Sequence, residues 1–303
     1  RYGSANSISI CDRVDRRLAF WVCITMVCVC HDLVCGLSIL FEKAGLENVN
    51  YSLRSSFSKY TLALFVSVFL VTLVGFFVSK TGAWAFCVGW PLCVPSEPIG
   101  YLKLAHIALV GIASIMMALV WRKGWREQRE HRSLLPLTTV TGVMFLGQAM
   151  IGAIEVSRGH PGHLVVLHGL TAVSLWISLA ALVIISGLLT GEVVDVPSFN
   201  FLQRAKDFYI LSKPLIVALL LLTTYSGLVA GAGQWPSASL TFWTLLGGGL
   251  AAAGSSALNQ YIDRELDKNM QRTAKRPLAD GRLTAAEGLS YGLALCLVSY
   301  YVM

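Results

Sequence analysis

Seven runs of roughly twenty mostly apolar residues punctuate the chain, near 60–79, 102–121, 134–156, 164–189, 214–233, 239–261 and 286–303, each matching the length a helix needs to cross the hydrocarbon of a bilayer. Backbone polar groups at that depth must be satisfied within the segment, which makes helices the spanning element for runs of this length. The expected fold is therefore all-α, a polytopic integral membrane protein. With 55% of residues hydrophobic and only 14% charged, an ordinary soluble domain is excluded.

Basic residues orient these spans. Loops 122–133, 190–213 and 262–285 carry Arg122, Lys123, Arg126, Arg129, Arg132, Arg204, Lys206, Lys213, Arg264, Lys268, Arg272, Lys275, Arg276 and Arg282, whereas the intervening loops hold little beyond Lys80 and Arg158. The positive-inside rule places the first three on the cytoplasmic side, as in a prokaryotic plasma membrane. The net charge of +7 thus reports topology, and no nucleic-acid partner is implied. An earlier apolar stretch, 18–40, breaks the alternation: with Arg13, Arg16 and Arg17 inside, the span at 60–79 would run the wrong way. Residues 1–59 are therefore set apart, as an oddly oriented helix or as sequence foreign to the gene. The chain starts at Arg1, and Cys11, Cys23, Cys28, Cys30 and Cys35 crowd into this region without a regular metal spacing. Cys28, Cys30 and His31 are read as a chance cluster with no function.

Asn259, Asp263 and Asp267 recur every four residues and share one helix face. Stacked carboxylates repel, so placing them where an apolar run meets water calls for a cation, such as magnesium carrying a diphosphate. A solvated helix end, with Arg264 and Lys268 among the acids, is the alternative. Arg272, Lys275, Arg276 and Arg282 follow at once; acids hold the metal and bases hold phosphate oxygens.

The block N-x-x-x-D-x-x-x-D followed by R-T-x-x-R-P-L resembles the first aspartate-rich motif of the UbiA-type intramembrane prenyltransferases, and its wording is most similar to the protoheme IX farnesyltransferase (heme O synthase) family. The resemblance runs from about Ala205 to Met303, through Leu211-Ser-Lys-Pro-Leu, Leu222-Thr-Thr-Tyr-Ser-Gly-Leu and the small residues from Gly247 to Ala257. Leu215 stands where the family carries an arginine. The resemblance implies farnesyl diphosphate and heme B as substrates, heme O as product, and Mg2+ held by Asp263 and Asp267 with Asn259 orienting it. It makes Lys213, Arg272, Lys275 and Arg276 the diphosphate clamps. Gly247, Gly248, Gly249 and Gly254, beside Ala251 to Ala253, leave room for an isoprenoid or let helices pack closely. The family's second aspartate-rich motif is not in the sequence, so this polypeptide is expected to be C-terminally truncated and to lack transferase activity as given.

A second constellation occupies 60–189. Cys87 and Cys93 lie in a loop expected outside, where an oxidising compartment favours a disulfide over free or merely structural thiols. His106 and His168 each lie about five residues into a span that starts outside, a matched depth at which facing helices of a bundle hold heme iron. Packing histidines are the alternative. His160, His163 and Arg158 belong to the outer loop, as surface residues within reach of heme propionates.

Thr81-Gly-Ala, the Cys-Val-Gly-Trp-Pro-Leu-Cys loop, His106, Gly147-Gln-Ala-Met-Ile-Gly-Ala-Ile-Glu-Val and His168 together resemble one four-helix half of heme A synthase. That resemblance implies His106 and His168 as axial ligands of heme b, a Cys87–Cys93 disulfide, and oxidation of heme O to heme A with an unknown electron acceptor. Lys103 replaces the glutamate expected three residues before the first histidine, and Glu97 is the nearest acid. That departure leaves both oxidising and cofactor-holding roles open. A single four-span unit, where larger relatives have two, suggests a homo-oligomer.

The expected order is thus a heme A synthase-like unit at 60–189, a linker at 190–204 with Glu192, Asp195 and Pro197, and a partial prenyltransferase at 205–303. Together they describe consecutive steps of heme A biosynthesis in contact with membrane lipid. The alternatives are a UbiA-type transferase for a quinone or aromatic acid, and a non-enzymatic bis-histidine b-type cytochrome.

Overall fold

A computed structural model describes residues 55–88, 93–189 and 201–303. The 18–40 stretch with its cysteines, Trp90 and Pro91, and the linker acids Glu192 and Asp195 lie outside the described residues. The helices are α1 (Ser56–Thr81), α2 (Tyr101–Glu127), α3 (Leu134–Ser157), α4 (Gly162–Leu189), α5 (Phe201–Leu211), α6 (Pro214–Ala232), α7 (Ala238–Lys268) and α8 (Ala285–Val302). Six of them, all but α5 and α7, are long and apolar enough to cross a membrane. The protein is a polytopic all-α membrane protein.

Two expectations change. The span expected at 239–261 falls short of that apolarity, because its Gly, Ala, Ser and Thr residues and the polar Asn259 and Gln260 dilute it. Its helix nevertheless has 31 residues, about 46 Å at 1.5 Å per residue, and runs on to Lys268. The linker expected to reach residue 204 gives way at Phe201 to α5, which buries Asp207 and Leu211.

Helices α1 to α4 form a closed ring in which α1 packs on α2 and α4, and α3 packs on α2 and α4. This is the four-helix solution for consecutive antiparallel helices. Phe57, Leu64, Val120, Leu134, Leu135, Leu179 and Leu182 are fully buried inside it. Hydroxyl pairs tie the helices where hydrocarbon offers no competing partner: Thr61 Oγ1 lies 2.9 Å from Ser186 Oγ, and Thr141 Oγ1 lies 2.6 Å from Ser178 Oγ. Between α1 and α2 the chain turns at Gly82 (φ 68°), then forms a two-residue antiparallel ladder pairing Cys87 with Pro95 and Val88 with Val94.

Helix α8 sits between the four-helix ring and the rest, packing on α3 and α7, while α6 packs on α7. Small residues permit the approach. A Cβ on Gly254 would meet Cys296 Sγ at 2.7 Å and the Gly292 carbonyl at 2.9 Å, and one on Gly147 of α3 would collide with the Tyr301 ring of α8. Gly247 and Gly254 are thus packing glycines, whereas Gly248 faces open space and Gly249 meets Leu221 of α6.

One polar node joins the two halves. Thr284 and Glu287 form a reciprocal capping box at the start of α8. The Glu287 carboxylate, 1% exposed, also accepts from Arg204 of α5 and lies 3.6 Å from Arg129 Nε in the α2–α3 loop. Thr284 Oγ1 donates to the Arg129 carbonyl at 2.7 Å. The start of α8 and the α2–α3 loop therefore share one end of the bundle. The starts of α2 and α4 lie at the other.

Candidate functional site

The acid motif occupies the last turns of α7, where an unbroken helix puts Asn259, Asp263 and Asp267 on one face. Asn259 and Asp263 are exposed, and among the described residues neither side chain has a hydrogen-bond or ionic partner. Asp267 is 5% exposed, with Oδ2 2.7 Å from Arg276 Nη1. A carboxylate that buried needs a counter-charge, so Arg276, expected as a diphosphate clamp, is engaged by Asp267. The interleaved bases do not neutralise Asp263. Lys268 pairs with Glu265 at 2.8 Å, and Arg264 stacks over Tyr261 at 4.5 Å while donating to its carbonyl. The Lys268 hydrogen bond holds the exposed Glu265 carboxyl below the usual range.

Arg272 and Lys275 are exposed in the loop that follows, and their side chains have no partner among the described residues. Arg282 is committed to shape: it binds Asp280 at 2.7 Å, Asp207 of α5 and the Lys275 carbonyl at 2.8 Å. Beneath the motif, Leu211, Ala257, Leu278 and Leu283 form a small apolar core with Phe208, Tyr261 and Tyr291 packed on it. Lys213 sits in the α5–α6 turn in the left-handed region, φ 49° and ψ 62°, a conformation uncommon for a residue with a Cβ. Gln260 Nε2 fixes that turn by donating to the Leu211 carbonyl at 2.7 Å, and Ser256 adds a second bond at 3.2 Å. The turn bearing Lys213 is therefore docked one residue from Asn259. Leu215 is 74% exposed on α6, away from these bonds.

The other constellation lies inside the four-helix ring. His106 Nδ1 is 3.1 Å from the Val71 carbonyl; a carbonyl only accepts, so Nδ1 donates and Nε2 keeps its lone pair. His168 has a buried Nδ1 without a partner, and its Nε2 has only the Gln148 amide at 3.4 Å. Gln148 instead holds the backbone, donating to the His168 carbonyl at 2.9 Å, and receives a hydrogen bond from Thr171. Each imidazole rests on a glycine of the adjacent helix: a Cβ on Gly75 would meet His106 Cε1 at 2.8 Å, and one on Gly152 would meet His168 Cε1 at 2.9 Å. The two rings lie within electrostatic reach of each other, and both of Glu155.

Sequence reasoning passed over Glu155. It is 12% exposed and lies 2.8 Å from His160 Nδ1. The His160 ring packs on Trp84 at 4.6 Å, so His160 is a half-buried partner of Glu155, not the free surface residue expected. The signal was the i, i+4, i+7 spacing of Gln148, Gly152 and Glu155, which aligns them on one face of α3. Cys87 and Cys93 form a disulfide with Cα atoms 5.3 Å apart. Lys103, in place of the expected glutamate, is buried and donates to the Cys87 carbonyl at 2.7 Å.

Residues 220–303, which include the acid motif, match the UbiA prenyltransferase family. Among similar proteins, the protoheme IX farnesyltransferase of Roseiflexus castenholzii is 29% identical over 273 residues, 82% of this chain and 51% of that protein. The protoheme IX farnesyltransferase of Haloquadratum walsbyi is 28% identical over 269 residues, 77% of this chain and 56% of that protein. That of Aquifex aeolicus is 44% identical over 98 residues, 32% of this chain and 34% of its own length. The chain thus spans about half the length of the first of these relatives. A match covering 82% of the chain cannot be confined to residues 205–303 and takes in much of the four-helix ring. These relatives are named for farnesyl transfer, and the heme-oxidising assignment of 60–189 has no counterpart in those names. No solved structure matches.

Proposed function

We propose that this chain contributes the diphosphate-binding half of a membrane farnesyltransferase acting on heme B to give heme O, joined to a four-helix unit that holds heme. The observation carrying the first part is the unpartnered set of Asn259, Asp263, Arg272 and Lys275, in a segment that matches the UbiA family. Among the described residues no group of three or more His, Cys, Asp or Glu is arranged to hold a metal. Magnesium does not require such a group, because it is bound through one or two carboxylates together with substrate phosphates and water. Asp263 and Asp267 would supply the carboxylates and Asn259 would orient a water. Magnesium held there would supply charge neutralisation for a diphosphate leaving group. Arg272, Lys275 and Lys213 would place positive charge around the departing oxygens, while Arg276 holds the Asp267 carboxylate in place at 2.7 Å. The acid end faces the cytoplasm.

The four-helix unit fits a heme through observations of its own: a free Nε2 on His106, an orphaned nitrogen on His168, and glycines that clear space beside both rings. A heme held there supplies iron-centred electron transfer. Lys103 in place of the expected glutamate favours holding heme over oxidising it. The paired imidazoles still support the second reading, oxidation of heme O to heme A.

Binding of farnesyl diphosphate to the chain in detergent micelles tests the first part. Magnesium should strengthen binding about a hundredfold over a chelated control, and Asp263→Asn should remove most of that gain. Equal binding with and without magnesium, in protein and variant alike, would contradict the assignment.

A further inference from the structure

Lys103 places a basic side chain where a membrane helix has little reason to keep one. It precedes His106 by three residues on α2, one turn nearer the disulfide loop, and so shares the face that carries the imidazole. It is 6% exposed, and its Nζ donates to the Cys87 carbonyl at 2.7 Å. That bond uses one of three N–H groups, and among the described residues no carboxylate pairs with the ammonium. A neutral donor would hold the Cys87 carbonyl equally well. The bond therefore explains where the side chain lies but not why a basic residue is used there, since an ammonium buried without an anion is costly.

We infer that Lys103 is the binding residue for a carboxylate of the ligand held between His106 and His168, that is, a propionate of an iron tetrapyrrole. This rests on the reading of the four-helix unit as a heme holder, and it adds an anionic subsite to that reading. Iron ligated at His106 leaves the carboxylate edge of the ring with two choices in a membrane, aqueous surface or a buried cation. Lys103 is such a cation, on the loop side of the ligating ring. The other basic groups at this end do not compete: His160 is bound to Glu155 at 2.8 Å, and Lys80, Arg158 and His163 are exposed to the surroundings. A glutamate at this position would repel the same carboxylate.

The test compares two ligands on the full chain in micelles: protoheme, with both carboxylates free, and its dimethyl ester, with the same iron and ring. The wild type should bind protoheme about tenfold or more tighter than the ester, the worth of a charge-assisted bond. Lys103→Gln keeps a donor for Cys87 and should bring the ratio close to one, without changing ester affinity or the two-imidazole absorption spectrum. Lys103→Arg keeps the charge and should keep the preference, so the comparison survives if the glutamine variant fails to fold. Equal affinity of the wild type for acid and ester, or an undiminished preference in Lys103→Gln, overturns the inference. If neither ligand gives a two-imidazole spectrum in the wild type, the heme-holding reading falls first and Lys103 with it.

Discussion

Replacing Glu287 by alanine should destabilise the protein by about 3 kcal/mol or more, the scale for removing one partner from a buried ion pair. The side chain is 1% exposed and performs several tasks at once. It receives Arg204, faces Arg129, and accepts the Thr284 N–H at 2.9 Å in the capping box. Loss of the box alone accounts for about 1 kcal/mol, so most of the effect comes from two guanidinium groups losing their shared carboxylate. Glu287→Gln retains an acceptor for Thr284 and should recover part of that stability. Denaturant unfolding in micelles, followed by helical circular dichroism, reads the difference. Because the three arms come from α8, α5 and the α2–α3 loop, the alanine variant should also loosen the four-helix ring from the prenyltransferase-like half. A cost below 1 kcal/mol would show that the node does not join them.

The second large effect concerns Gly152. Valine there should displace the His168 ring, because even a lone Cβ would come within 2.9 Å of Cε1. Heme bound to the ring of four helices should then lose its two-imidazole spectrum, as it would in His168→Ala, with affinity falling about 10- to 100-fold, the usual cost of disturbing a ligand's support. Gly111→Val on α2, where a Cβ meets nothing within 4 Å, is the control and should keep the spectrum. If Gly152→Val also keeps it, His168 is not a ligand.

The sequence showed the spans and the periodic acids because both are local: apolar length marks a membrane helix, and four-residue spacing marks a face. It did not show what the faces meet. Asp267 looks like Asp263 in the chain, yet one is buried against Arg276 and the other is free. Glu287 looks like an ordinary acid opening a helix, and only tertiary packing brings Arg204 to it from 83 residues away. The helix at Phe201–Leu211 is too short for a span signal, and a polar stretch of linker composition leads into it. Matched depth suggested that His106 and His168 could meet, while the glycines opposite them and the hydrogen bond from His106 to Val71 needed coordinates.

The proposed diphosphate and heme sites would lie at opposite ends of one helical bundle, and sided labelling tests that separation most directly. Single cysteines placed at Lys268, beside the acid motif, and at His163, in the loop before α4, would be compared in a chain whose other unpaired cysteines are serine. A membrane-impermeant thiol reagent should reach Lys268→Cys only from the cytoplasmic side and His163→Cys only from the opposite side. Labelling of both from the same side would contradict the arrangement and, with it, the separation of diphosphate chemistry from heme ligation.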